Sequence, residues 1–335
     1  MKKIVSAVLI LAVCMSLCSC SSKNGSNLPE DEVAAPDVSD VSPDTTKGDP
    51  DSGYTGYLYY LTPEGTELRK NLGYYENVVQ VDARPWSEAV YILYADGTIS
   101  GYGNMELLDI DGRVSQLTDI VQIDAYEEGL CVLSSDGKVE IIGTFSAFWE
   151  EQMESIKERV SNWPEIVQIS ADNTTVAGLG RDGKIYKTDL LSDLTDDQPV
   201  LDIGDVKSIS CDCWNLYAVL NDGRVMRYHG AHGGDDRIVE IVLPEPIEKA
   251  VSCGESDTVF FLGQSGAVYA PVWNKEEQCT EYVDAGLGGI ADLVPFLFLD
   301  GNGTAYFDDN SICDDVLLIG GNGEYGAALL CRFPD

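Results

Sequence analysis

One pattern of apolar and polar positions recurs through residues 54–335. A short apolar strand leads through a loop to a second apolar strand, a tight Asp-Gly turn and a third strand. Val78-Val79-Gln80-Val81-Asp82-Ala83 leads to Ile92-Leu93-Tyr94-Ala95-Asp96-Gly97-Thr98-Ile99. Ile120-Val121-Gln122-Ile123-Asp124-Ala125 leads to Val132-Leu133-Ser134-Ser135-Asp136-Gly137. Ile166-Val167-Gln168-Ile169-Ser170-Ala171 leads to Leu179-Gly180-Arg181-Asp182-Gly183, and Val206-Lys207-Ser208-Ile209-Ser210-Cys211 to Val219-Leu220-Asn221-Asp222-Gly223. The turn becomes Ser265-Gly266 and then Asn302-Gly303 in the next two copies. Short β-branched runs ending in such turns predict hairpins, because glycine takes the positive φ of a tight turn without strain.

A shorter hairpin, Tyr57 to Leu68 around Glu64-Gly65, precedes these copies, so the turn glycines fall at 65, 97, 137, 183, 223, 266 and 303. A period near 40 with three strands and room for a fourth predicts propeller blades, with a solenoid as the alternative. The chain enters this array on a back half and leaves it on a front half. Val316 to Ile319 and Ala327 to Cys331 have no turn glycine after them. Seven front halves and seven back halves predict an all-β, seven-bladed propeller closed by pairing of its N- and C-terminal strands, which removes the free sheet edges. The longest spacing holds an insertion. Apolar residues at 145, 148, 149, 153, 156 and 160 predict one short helix near 146–160, capped by Ser146 or Thr144. It serves either to pack on the propeller rim or to dock a partner.

These units resemble the repeat of the regulator-of-chromosome-condensation family, Val-x-Ile-x-Ala-Gly-x-x-His-x-x-Ala-Leu followed by Asp-Gly-x-Val-Tyr-x-Trp-Gly. The resemblance covers 77–335 and is closest in the second to fourth hairpins. Cys211-Asp212-Cys213-Trp214-Asn215-Leu216-Tyr217-Ala218-Val219 keeps the spacing, with Asn215 in place of the family His. Ser87, Gly129 and Thr175 fall at or near that position elsewhere, and Gly254 alone keeps the family Gly. Trp-Gly survives only as Tyr102-Gly103 and Ile142-Gly143. The resemblance implies a seven-bladed propeller in which that His position braces the blade. It gives no basis for the exchange-factor activity of the eukaryotic founder. Secreted bacterial members that cap an enzyme with one propeller face are the nearer analogue.

The amino terminus departs from the array. Lys2 and Lys3 precede an apolar stretch from Ile4 to Leu17, too short to span a bilayer and suited to a secretory signal. Leu17-Cys18-Ser19-Cys20 resembles a bacterial lipobox, which implies cleavage after residue 19 and lipid on Cys20. An ordinary cleaved signal is the alternative. Residues 20–53 are rich in Ser, Asp, Pro and Gly and hold no aromatic residue, so they are predicted to form a disordered acidic tether. The expected location is the bacterial cell membrane, lipid-anchored on the extracytoplasmic face.

Charge narrows the function. Lys plus Arg number 21 against 57 Asp plus Glu, a formal net charge of −36. Such a surface repels phosphate backbones, so no nucleic-acid partner is expected. His229 and His232 are the two histidines, and no third ligand sits at metal-binding spacing, so neither a metal site nor a histidine-based nucleophile is expected. Asp109 to Gly112 and Asp300-Gly301-Asn302-Gly303 carry Ca²⁺-loop features without the later bidentate Glu and read as turns. Gly320-Gly321-Asn322-Gly323 opens no helix and is no phosphate cradle. Cys131 and Cys331 fall at core-strand positions and read as buried thiols. Cys211 and Cys253 share a repeat position, which leaves a disulfide between them as one alternative.

Trp86, Tyr126 and Trp214 occur between first and second strands of their units, where aromatic side chains form either ligand contacts or inter-blade packing. The expected function is a monomeric, lipid-anchored extracytoplasmic binding module for a protein or glycan at the cell surface, without catalysis or cofactor. The alternatives are a propeller lyase or glycoside hydrolase using channel carboxylates, and an envelope assembly factor.

Overall fold

The turn glycines decide both the hairpins and how consecutive units meet. At Gly97 the backbone has φ +78°, and an added Cβ would meet the backbone of Asp119 and Ile120 at 2.9 Å. The carbonyl of Gly97 accepts the Ile120 amide of the next unit at 3.0 Å. The same bond joins Gly137 to Ile166, Gly223 to Ile247, Gly266 to Ile290 and Gly303 to Val316, at 2.8 to 3.0 Å. Each of these turns therefore closes one hairpin and pins the start of the next.

A computed structural model describes residues 53–62, 69–84, 89–103, 112–143, 150–189, 201–229, 237–253, 258–275, 279–307, 310–322 and 326–334. The signal segment, Cys20 and the tether up to residue 52 lie outside these residues. So do Ser87, Trp86, His232, Gly254, Phe148 and Trp149.

The strands in chain order are β1 (Tyr54–Leu61), β2 (Arg69–Ala83), β3 (Val90–Tyr94) and β4 (Ile99–Tyr102), then β5 (Ile120–Tyr126), β6 (Gly129–Ser134) and β7 (Val139–Gly143). Helix α1 (Glu150–Ser161) precedes β8 (Ile166–Ala171), β9 (Thr175–Gly180) and β10 (Ile185–Asp189). Next come β11 (Val206–Cys211), β12 (Asn215–Leu220), β13 (Val225–His229) and β14 (Arg237–Ile241), then β15 (Ile247–Cys253), β16 (Thr258–Gly263), β17 (Val268–Asn274) and β18 (Cys279–Asp284). The last are β19 (Ile290–Val294), β20 (Leu297–Asp300), β21 (Ala305–Phe307), β22 (Asn310–Cys313), β23 (Val316–Asn322) and β24 (Gly326–Cys331). All pairings are antiparallel, in the up-and-down order of propeller blades.

The ends close as expected. β1 lies between β24 and β2, with Tyr57 opposite Cys331, Leu58 opposite Leu330 and Leu61 opposite Ala327. Leu58, Tyr60, Ala328 and Leu330 are buried together against Val81 and Ile92. Seven blades were expected, and the strands form six hydrogen-bonded sheets. The cause is β2, which runs unbroken for 15 residues, pairing β1 up to Val78 and β3 from Val78 onward. It fuses what the repeat counts as two units into one six-stranded sheet, β23-β24-β1-β2-β3-β4. Innermost strands meet in sequence, β2 with β5, β5 with β8, β8 with β11, β11 with β15, β19 with β23 and β23 with β2, while β16 touches β19. Apolar clusters fill each junction between sheets.

Helix α1 is the predicted insertion, and it begins at Glu150 among the described residues. Met153, Ile156 and Val160 are buried against Cys131, Leu133, Ile141, Ile169 and Tyr186. The docking alternative fails for this face, because the sheets around β7 and β10 already cover it. No helix among the described residues is long and apolar enough to cross a membrane.

Candidate interaction site

The innermost strands share an irregularity that alternation alone does not anticipate. Each carries a β-bulge, at its second residue in six of them (Val121, Val167, Lys207, Glu248, Ala291 and Leu317) and at Val79 in the long β2, just past the point where it takes up β3. A bulge holds one unpaired residue and re-aims its side chain. On an innermost strand, flanked by neighbouring units, solvent reaches a side chain only from the central channel and its rim. Val121 is 54 % exposed and Val167 43 %, although both are β-branched residues within a strand. Val79 and Leu317 are partly exposed beside them. The order of the strands sets these four as one arc, Leu317, Val79, Val121, Val167. Lys207 and Glu248 follow it and form an ion pair across β11 and β15. The Asp-Gly turns lie at this same end of the strands and carry ion pairs such as Lys138–Asp136, Arg181–Glu165 and Arg224–Asp222, so the arc is an apolar patch inside a charged rim.

Behind the bulges, two tiers of side-chain bonds lash the inner strands together. Gln80 donates to the Ile123 carbonyl at 2.7 Å and accepts the Ile123 amide at 3.0 Å. Gln122 holds Ile169 in the same way at 2.8 and 2.9 Å, and Gln168 holds Ile209 at 3.5 and 3.0 Å. Lys249 takes over this duty with bonds to Asp292 and the Leu293 carbonyl at 2.7 and 2.9 Å. In the second tier Asp82 accepts the Ala125 amide at 2.7 Å and Asp124 the Ala171 amide at 2.9 Å. Ser170 and Ser210 then accept the amides of Cys211 and Ser252 at 3.0 and 2.9 Å.

Burial pushes the carboxyls of Asp82 and Asp124 above the usual carboxylate range, and backbone donors only partly offset it. The negative charge of Asp82 raises Asp124 further. Asp212, which binds the amides of Trp214 and Asn215 at 2.8 and 2.7 Å, is pushed up to about 7 by burial. These acids brace the inner strands, which is the work their contacts account for. No group of three or more metal-ligating side chains converges among the described residues.

Of the three aromatic residues singled out at the other end, Tyr126 and Trp214 are described and Trp86 is not. Tyr126 is the last residue of β5, is 1 % exposed and donates to the Ile142 carbonyl at 3.2 Å, so it is a packing residue. It fills the space at Gly129, where a Cβ would collide with the Tyr126 hydroxyl. Trp214 is partly exposed, in the loop ordered by Asp212. His229 is occupied by Asn215, Nδ1 to Oδ1 2.9 Å. Cys131 and Cys331 are buried as expected. Cys211 is a free thiol that donates to the Ser170 carbonyl at 3.3 Å, while the Cys253 side chain lies outside the description. Asp300 accepts the amides of Asn302 and Thr304 at 2.9 and 2.8 Å, which is turn chemistry. The bulge arc was missed from the sequence. Its trace there is the triplet Val78-Val79-Gln80, Ile120-Val121-Gln122, Ile166-Val167-Gln168, in which a glutamine sits where alternation calls for an apolar residue.

No protein-family model matches the chain, and no curated protein matches it. Solved structures do. The structure of Prp20p from Saccharomyces cerevisiae, studied with its binding to Gsp1p and histones, superposes with a TM-score of 0.59 at 13 % identity, covering 85 % of this chain and 94 % of that one. Human WBSCR16 gives 0.59 at 11 % identity, covering 83 % and 98 %. Yeast RCC1 (Prp20) in complex with Kap60 gives 0.57 at 12 % identity, covering 92 % and 97 %. At these identities the likeness is one of architecture: the chain has the fold of the RCC1-like β-propellers.

Proposed function

We propose that the chain is a protein-binding module, lipid-anchored through Cys20 on the extracytoplasmic side of a bacterial membrane, and that it contacts its partner through the turn-side mouth of its channel. The carrying observation is the arc of exposed Val121 and Val167 and partly exposed Val79 and Leu317 inside a charged rim. A contiguous apolar patch with a polar rim is the form of a protein contact surface. One of the similar propellers, yeast Prp20p (RCC1), has protein partners named for it in both of its structures, which agrees with this use of the scaffold. The reading assigns no catalysis, since the inner carboxyls are engaged with backbone amides. We also infer seven blade positions, with the six-stranded sheet filling two of them where β2 changes partner at Val78.

The test uses residues 54–335 immobilised against envelope extract. The pair Val121→Asp and Val167→Asp should abolish retention of a partner held by the wild type while the protein keeps a cooperative melting transition, because both side chains are about half exposed. Retention that survives the pair would refute this face. Glycan turnover by the wild type that Asp124→Asn abolishes without loss of its melting transition would establish the enzyme reading instead. For the anchor, Cys20→Ala should leave the precursor uncleaved and move it from the detergent to the aqueous phase; unchanged partitioning would place the anchor elsewhere.

A further inference from the structure

Cys313 ends β22 and Cys331 ends β24, and their sulfurs lie 3.4 Å apart. Both sit in one apolar cluster with Tyr59, Ile319 and Leu329, at the junction between the last sheet and the sheet that closes the ring. At this separation nothing fits between them, and a disulfide of about 2 Å needs only a small side-chain rotation. The two thiols differ in access. Cys331 is 1 % exposed, whereas Cys313 is 6 % exposed and lines a cavity of about 300 Å³. Ser311, Ile312, Asp314, Asp315, Phe333 and Pro334 form the rest of its wall, so the cavity opens beside the carboxyl-terminal tail. Cys313 also donates to the Asp314 carbonyl at 3.4 Å. Among the described residues Cys211 and Cys213 have no sulfur opposite them: Cys211 donates to the Ser170 carbonyl and Cys213 to the Asp172 carboxylate at 2.9 Å.

We propose that Cys313 and Cys331 are a redox-active pair that forms a reversible disulfide between the last sheet and the closing sheet, with an organic disulfide as oxidant. The Cys313 thiolate attacks the organic disulfide in the cavity, forming a mixed disulfide and expelling one thiolate. The Cys331 thiolate then attacks the Cys313 sulfur, forming the internal S–S bond and expelling the second thiolate. The two protons lost by the cysteines go to the two released thiols, so the protein pair is oxidised by two electrons and the reagent is reduced by two. The bridge closes a short loop and ties β22 to the strand that pairs with β1, so the oxidised ring is harder to open. The inference is independent of the partner surface and of the lipid anchor.

The probe is oxidised glutathione, added to natively folded 54–335 prepared in reductant. Peptide mapping after alkylation in denaturant should show Cys313 joined to Cys331, the intact mass lower by two hydrogens, and a melting temperature above that of the reduced protein. Dithiothreitol should reverse all three. Cys331→Ser should trap one glutathione on Cys313, and Cys313→Ser should leave Cys331 free of adduct. The wild-type map needs no variant to fold. Complete alkylation of both cysteines after oxidation would overturn the proposal, as would a bridge that joins Cys313 to a different residue. An adduct on Cys331 in the Cys313→Ser protein would overturn the assignment of Cys313 as the attacking thiol.

Discussion

Single residues in this fold answer to pH in two opposite ways. Turn acids such as Asp136, held down at about 2 by Lys138 and Ser134, contribute stability above the unfolded carboxylate value and lose it as pH falls through their folded value. Asp212 is the reverse case. Its folded value of about 7 lies above the unfolded 3.8, so its contribution is full below that unfolded value and lost as pH rises to about 7. Burial raises Asp82 and Asp124 in the same direction. The melting temperature should therefore fall between about pH 4 and pH 7, and Asp212→Asn should flatten that slope in a calorimetric series. A slope unchanged by the substitution would assign the loss to other groups. Gln122 tests the inter-strand lashing. Gln122→Ala removes both of its bonds to Ile169 and should cost about 1 to 3 kcal/mol in a denaturant titration. Little of this was legible in the chain. Gln80, Gln122 and Gln168 stand out as polar intrusions, but period-two reasoning has no slot for the extra residue of a bulge, so it could not say that Val121 faces water. Tyr126 was misplaced for a related reason: the loop it was assigned to begins one residue later, and its hydroxyl reaches inward to fill the gap at Gly129.

Elements were far more legible, because their signals are local. Each Asp-Gly or Ser-Gly pair marks a hairpin whatever its tertiary setting, and the register follows from it. The helix was visible from the spacing of Met153, Ile156 and Val160, which needs no partner to be read. What it packs on was not visible, since the covering residues Cys131, Ile141 and Tyr186 come from two other sheets. Ile156 is buried in that junction, and Ile156→Ala should cost about 2 to 5 kcal/mol. Glu154 and Glu158 on the outer face should tolerate alanine with little change in the same denaturant titration. A cost that is equal on both faces would show that the helix is held by something other than its apolar stripe.

At the scale of the molecule, the half-unit offset between the two ends was enough to foresee closure, but the number of hydrogen-bonded sheets was not, because nothing in a repeat count says whether two adjacent strands are joined without a break. β2 does join them. Deleting residues 54–72 should leave Ile319, Leu329 and Leu330 without their cover and give aggregated or protease-sensitive protein, whereas deleting 21–50 should leave the melting temperature of the remaining chain unchanged. Equal melting of both truncations would show that β1 is dispensable. The pairing of Tyr57 with Cys331 has a topological consequence as well. The first residue of β1 and the last of β24 lie at the same end of adjacent strands, so the seam is a matter of where translation happens to begin. A circular permutant that joins residue 335 to residue 54 through a short glycine-serine linker, and opens instead at the Asp-Gly turn after Leu220, keeps every strand and every neighbour. It should fold to the same ring and melt close to the parent, with its new ends on the turn face rather than at the closing sheet.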